Sequence, residues 1–195
     1  MGTYNTETTE RKEYQLAPVG THAARIYAVA EIGYHKNFFE PEKKPKNLLL
    51  LLLELVNTSM DSGLPFGQYK EYPISFYDGS GAGSPAGLYL LCNSLLGGRP
   101  PVFTPKMLLG LPCLAVVALK DKQDGGKKTV VTSILAVPDG YPVKAPVNEL
   151  VLFDINSPDG HQLSKLPPWV QKKISEAIVN HDEVAGGFDE SDVPF

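Results

Sequence analysis

The chain of 195 residues contains two cysteines, Cys92 and Cys113, and both lie inside apolar runs. That scarcity argues against a disulfide-stapled secreted scaffold and favours buried free thiols in a reducing cytosol. Its four histidines, at positions 22, 35, 161 and 181, are too scattered for a zinc site, so no metal is expected. Its unbroken apolar runs, such as Leu48–Leu53, fall far short of the about 20 residues that a membrane helix needs. The polar segment 1–15 lacks the apolar core of a secretory signal, and there are no internal repeats. Between residues 79 and 120 there is no Asp or Glu at all. That gap disposes of one motif. Gly81-Ala82-Gly83-Ser84-Pro85-Ala86 fits a loose dinucleotide pattern, but the ribose-binding acid about 20 residues later is missing. Nor does Gly79-Ser80-Gly81-Ala82-Gly83 place its serine where a nucleophile elbow needs it. Without a catalytic constellation, neither an enzyme nor a cofactor is expected.

What is present is unevenly charged. The formal net charge of −4 argues at first against a nucleic-acid partner. Of the 22 acids, however, five lie in 182–195 (Asp182, Glu183, Asp189, Glu190 and Asp192), a segment with no Lys or Arg. The rest of the chain then holds 17 acids against 18 basic residues. The acid-free stretch carries Arg99, Lys106 and Lys120, so a local basic face is compatible with the acidic total.

Period-two alternation predicts a strand over His22–Ile32, with Ala24, Ile26, Ala28, Ala30 and Ile32 on one face. Leu48–Val56 reads as a buried strand. Tyr69–Tyr77 reads as a third, in which Pro73 marks an edge or a bulge. Ser84 is a candidate N-cap with Pro85 at the first helical position. Leu88, Leu91, Cys92, Leu95 and Leu96 follow at helical spacing up to Gly97-Gly98. Cys113–Lys120 and Thr129–Val137, joined by a charged turn containing Gly125-Gly126, read as a hairpin. The fold class is therefore mainly β. The order of five strands with one helix between strands 3 and 4 fits an OB-fold five-stranded barrel, although a sandwich of another topology has the same element order. The expected organisation is a flexible N-terminal arm at 1–15, the barrel at 16–137, an extension at 138–181 and a disordered acidic tail at 182–195. Within the extension, Leu150–Ile155 is expected to dock on the body. A C-terminal helix is expected over Ser164–His181, with Trp169, Val170, Ile174, Ala177 and Ile178 on one face.

Single-stranded DNA offers unstacked bases and closely spaced phosphates, so its binder needs exposed rings beside cations. The loop between strands 1 and 2 interleaves them: Tyr34, Lys36, Phe38, Phe39, Lys43, Lys44 and Lys46. Those two phenylalanines would serve equally well folded back on the barrel. The third strand adds Tyr69, Lys70 and Tyr77, whose hydroxyls favour a wet side. Arg99, Lys120, Lys127 and Lys128 complete the candidate phosphate contacts. An OB barrel would gather these segments on one side.

The last residues, Gly186-Gly187-Phe188-Asp189-Glu190-Ser191-Asp192-Val193-Pro194-Phe195, place an acidic patch and an apolar tip after a glycine hinge. They resemble the C-terminal tip of bacterial single-stranded DNA-binding proteins, with Val193 in place of Ile and Ser191 interrupting the acids. That resemblance implies that Phe188, Asp189, Glu190, Asp192, Val193, Pro194 and Phe195 dock replication, recombination or repair proteins. The body is similar to phage- and prophage-encoded proteins predicted to bind single-stranded DNA. The similarity runs through Leu16–Arg25, Leu108–Cys113, Pro146–Asp154 and Leu166–Val170. It implies a protein that coats and protects single-stranded DNA during phage DNA replication and recombination, in the cytoplasm of a bacterial host. No membrane partner is expected, and a homo-oligomer is compatible with this reading. The alternative is a decoy or adaptor that captures host proteins through the same tail without binding DNA.

Overall fold

A run of leucines with no polar break needs apolar neighbours on both faces, and the architecture supplies them. The computed structural model describes residues 15–36, 42–81, 83–122 and 125–178. Six strands form one sheet: β1 (Gly20–His35), β2 (Lys46–Ser59), β3 (Pro65–Pro73), β4 (Pro112–Asp121), β5 (Lys127–Leu135) and β6 (Val151–Asp154). The paired path runs β3-β2-β1-β4-β5, antiparallel throughout, and β6 joins β1 in parallel. Leu49, Leu51, Leu53 and Leu55 enter one core with Ala24, Ile26, Phe66, Tyr72, Cys113, Val117 and Val131. Leu50 and Leu52 enter a second core on the opposite face, with Ala28, Ala30, Ile32, Val151, Phe153, Leu166 and Val170.

The alternation read over His22–Ile32 breaks inside β1. Its ladder to β2 shifts register between Ile26 and Ala28, and again between Glu31 and Gly33. A bulge inserts one residue and reverses which face the next side chains take. Ala24 and Ile26 therefore lie in the first core, and Ala28, Ala30 and Ile32 in the second.

Among the described residues three α-helices and one 3-10 turn (Pro105–Leu108) complete the fold. Helix α1 (Gly87–Leu96) buries Leu88, Leu91 and Cys92 against the first core. It begins after Ala86 with no side-chain cap, so Ser84 is not its N-cap as expected, and it stops at Gly97, whose φ of 73° glycine tolerates. The single helix expected over Ser164–His181 is instead two: α2 (Gly160–Lys165) and α3 (Pro168–Ser175). Asp159 caps α2 by accepting from the N–H groups of His161 and Gln162, and Pro167-Pro168 forces the break. The third strand starts four residues before the expected Tyr69 and ends at Pro73, which has no N–H to continue a ladder. Leu150–Ile155 joins the sheet itself, as β6, so the sheet has a sixth strand beyond the five expected.

The segment leading to β6 is fixed by two residues that face each other across β1 and β2, Arg25 and Glu54. Arg25 donates to the carbonyls of Lys144 (2.7 Å), Gly110 (2.9 Å) and Val143 (3.3 Å). Glu54, fully buried, accepts from the N–H of Val147 (2.6 Å), the N–H of Asn148 (2.9 Å) and the Asn148 amide (2.5 Å). A buried carboxylate is tolerated because these donors replace water. Tyr27 nearby has its phenol raised above the usual range, by burial first and the Glu54 charge second. At Gly33, where φ is 82°, an added Cβ would lie 2.8 Å from Ile155 Cδ1 and 3.0 Å from Ala177 Cβ. The extension thus packs directly on β1.

Glu54→Ala strands three donors inside the protein. It is expected to lower stability by about 3 kcal/mol in urea unfolding, whereas Glu149→Ala, on the surface, should leave the transition midpoint nearly unchanged.

Candidate nucleic-acid interface

The outward side of β3 is where rings and charges meet. Phe66 and Tyr72 point into the first core, so Tyr69 and Glu71 point away from it. Tyr69 lies opposite Leu52 in the ladder, and Leu52 and Val170 share the second core. Helix α3 therefore lies over β2 and flanks β3. The Tyr69 and Trp169 rings meet at a centroid distance of 4.9 Å and a tilt of 50°. One turn further along, Lys173 Nζ donates to Glu71 at 2.5 Å. Lys172 lies 3.7 Å from Glu176. Beyond the helix, the N–H of Ile178 donates to the Tyr34 carbonyl at 2.9 Å, near the end of β1. Trp169 beside Tyr69, Lys173 beside Glu71 and Ile178 beside Tyr34 set the direction: α3 runs alongside β3 toward the loop between β1 and β2.

On its other flank β3 approaches β5. Gln68 donates to Thr129 Oγ1 at 3.3 Å, and Lys70 Nζ to the carbonyls of Val131 (3.0 Å) and Thr132 (3.2 Å). These hydrogen bonds advance in step along both strands, so β3 and β5 run in the same direction. Lys70, expected to face a ligand, is engaged with the edge of β5 instead.

The other expected site residues divide into three groups. Lys127 and Lys128 are exposed immediately before Thr129, at the start of β3, and Lys120 pairs with Lys128 across the hairpin. Lys36, Lys43, Lys44 and Lys46 are exposed around the opposite end, where Tyr34 and His35 pair with Asn47 and Lys46. Tyr69 lies between these two lysine groups. Tyr77 and Arg99 do not join them through any contact seen. The Tyr77 hydroxyl accepts from the Gly81 N–H at 2.8 Å, and the Arg99 guanidinium sits 5.8 Å over the Phe76 ring. Arg99 also lowers the Asp78 carboxyl slightly, after the larger effect of hydrogen bonds from Ser80. Phe38 and Phe39, together with Phe188, Asp189, Glu190, Asp192, Val193, Pro194 and Phe195, lie outside the described residues.

Trp169 is not among the expected site residues, because helical spacing places it with Val170 and Ile174 on a core face. It is 43% exposed and Tyr69 46% exposed, while Val170 is fully buried. The residue that seats the helix is Val170, and the tryptophan is left at the rim. Tyr69 has its phenol raised, by burial first and Glu71 second.

Among the described residues no group of three or more His, Cys, Asp or Glu could hold a metal ion. No helix among them is long and apolar enough to cross a membrane. The chain matches no known protein-family model and no curated protein sequence.

Burial raises the Cys92 thiol, and pushes that of Cys113 from 9.0 up to about 12. Both thiols are buried, so neither should react with a disulfide reagent until urea unfolds the chain, when both should. For Cys113 the folded value exceeds the unfolded one. Its contribution to stability is complete below pH 9 and is lost as pH climbs toward 12. Unfolding curves should show the urea midpoint falling across that interval.

Proposed function

We propose that the chain is a non-enzymatic single-stranded DNA-binding protein. Its sheet is read as an OB barrel over 16–137, its extension as 138–181 and its partner-docking tail as 182–195. The observation that carries this reading is the strand path β3-β2-β1-β4-β5 with β3 brought back against β5. An OB barrel follows the same path, and that fold binds oligonucleotides on its strand 2–3 face between the 1–2 and 4–5 loops. In this chain those two loops carry lysines at the two ends of β3, with the Tyr69 ring between them. The bases stack and the phosphates are neutralised with little sequence preference. In a phage or prophage setting the protein coats single strands during replication, recombination and repair in the bacterial cytoplasm, and the tail brings partner proteins to them.

A labelled dT oligomer titrated at several salt concentrations tests the reading. Submicromolar binding at low salt, weakening as salt rises, is expected. Lys127→Glu with Lys128→Glu should flatten the salt dependence by about 0.7 in log–log slope for each phosphate left without its lysine. Micromolar or weaker binding, no tighter than to duplex DNA, would sink the reading and leave the decoy alternative.

Removing residues 182–195 takes away five acids and no basic residue. It should tighten DNA binding, most at low salt, where unscreened carboxylates compete best with phosphates.

A further inference from the structure

We infer that Trp169 stacks on nucleobases, so that the C-terminal helix α3 forms one wall of the binding site. This rests on the single-stranded DNA reading above and adds a residue and a boundary to it. Three observations carry it.

The first is that the Trp169 ring does not need to be at the surface to hold α3 in place. Val170 fills the second core with no exposed surface, and Ile174 packs beside it. Yet the largest side chain of the helix is left 43% exposed, against another ring that is 46% exposed. The second is geometry. At 4.9 Å and a 50° tilt the rings of Tyr69 and Trp169 touch without eclipsing each other, so each keeps part of its surface open to a third aromatic body. An unstacked base is such a body, and sequence-tolerant stacking suits it. The third is charge. The acids beside the pair, Glu71 and Glu176, are matched by Lys173 and Lys172. Beyond α3 the 1–2 loop carries Lys36, Lys43, Lys44 and Lys46 against Glu40 and Glu42, and at the other end the hairpin carries Lys120, Lys122, Lys127 and Lys128 against Asp121 and Asp124. The rings thus occupy a neutralised stretch between two net-basic ends, the arrangement a strand of bases and phosphates requires.

Trp169 is the only tryptophan in the chain, so the intact protein reports on the stacking. The test uses the full-length chain and a fluorescently labelled dT oligomer, read by anisotropy and by tryptophan emission. The expected result is quenching of Trp169 emission that saturates at the same DNA concentration as the anisotropy. Trp169→Ala should weaken binding roughly five- to 150-fold, and Trp169→Phe should recover most of that loss. Circular dichroism of each variant confirms that the fold is kept, and the wild-type quenching needs no variant at all. Saturating anisotropy with unchanged Trp169 emission overturns the inference while leaving DNA binding standing. So does a Trp169→Ala affinity within twofold of wild type. If the oligomer fails to bind at all, the DNA reading falls, and this inference with it.

Discussion

Strand β1 has two edges to satisfy along sixteen residues, and the rest of the fold follows from how this is done. One edge is covered by β2 nearly throughout. On the other, β4 pairs with Gly20–Arg25 and then gives way, and β6 pairs with Ala28–Glu31. Between them Ile26 donates its N–H to the Leu111 carbonyl and accepts from the N–H of Gly110. Buried backbone groups demand partners, and no single neighbour reaches along all of β1. The chain therefore returns after β5 to supply the second partner. Arg25 and Glu54 hold that return in place at the point where the first partner leaves.

The return has a consequence for any ligand. By adding β6 beside β1 and bringing α2 and α3 over the outer face of β1 and β2, it buries Leu50, Leu52 and Ile32 in one cluster with Val151, Phe153, Leu166 and Val170. Lifting that cover would expose a continuous apolar surface, at a cost of about 25 cal/mol for every Å². The cover is thus part of the fold, and the outer face of β2 is closed to ligands. What stays accessible is the strip along β3 that α3 flanks. On the DNA reading, the open strip runs along β3, and Trp169 of α3 lines it beside Tyr69.

Much of this is legible in the sequence, and the departures share a cause. The leucine run, the hairpin around Gly125-Gly126 and the leucine spacing of α1 all express local periodicity, and each appears close to where periodicity puts it. Alternation misassigns the side chains along β1 because a bulge after Ile26 leaves no mark in composition. The third strand does not begin at Tyr69 because its true start, Pro65-Phe66, is set by pairing with Ser59 and Leu55 of β2, not by its own residues. Helical spacing puts Trp169 in a core because it shows which residues share a face but not where on the partner surface that face is seated. Each departure concerns a relation between segments far apart in the chain.

The same distinction governs the charge. A net charge of −4 describes the molecule from afar, but at physiological ionic strength a surface group senses other charges over about 8 Å. Within that range several acids of the body have local tasks. Glu54 anchors a buried segment, Glu31 accepts from Asn47 and Asn156, and Asp159 caps α2. Glu71 and Glu149 each receive a lysine. Lys46, Lys127 and Lys128 stand exposed at the two ends of β3, with the exposed acids Glu42 and Asp121 in the same segments. The charge around β3 is therefore set by which groups stand beside it, and the net charge of the whole chain does not describe it.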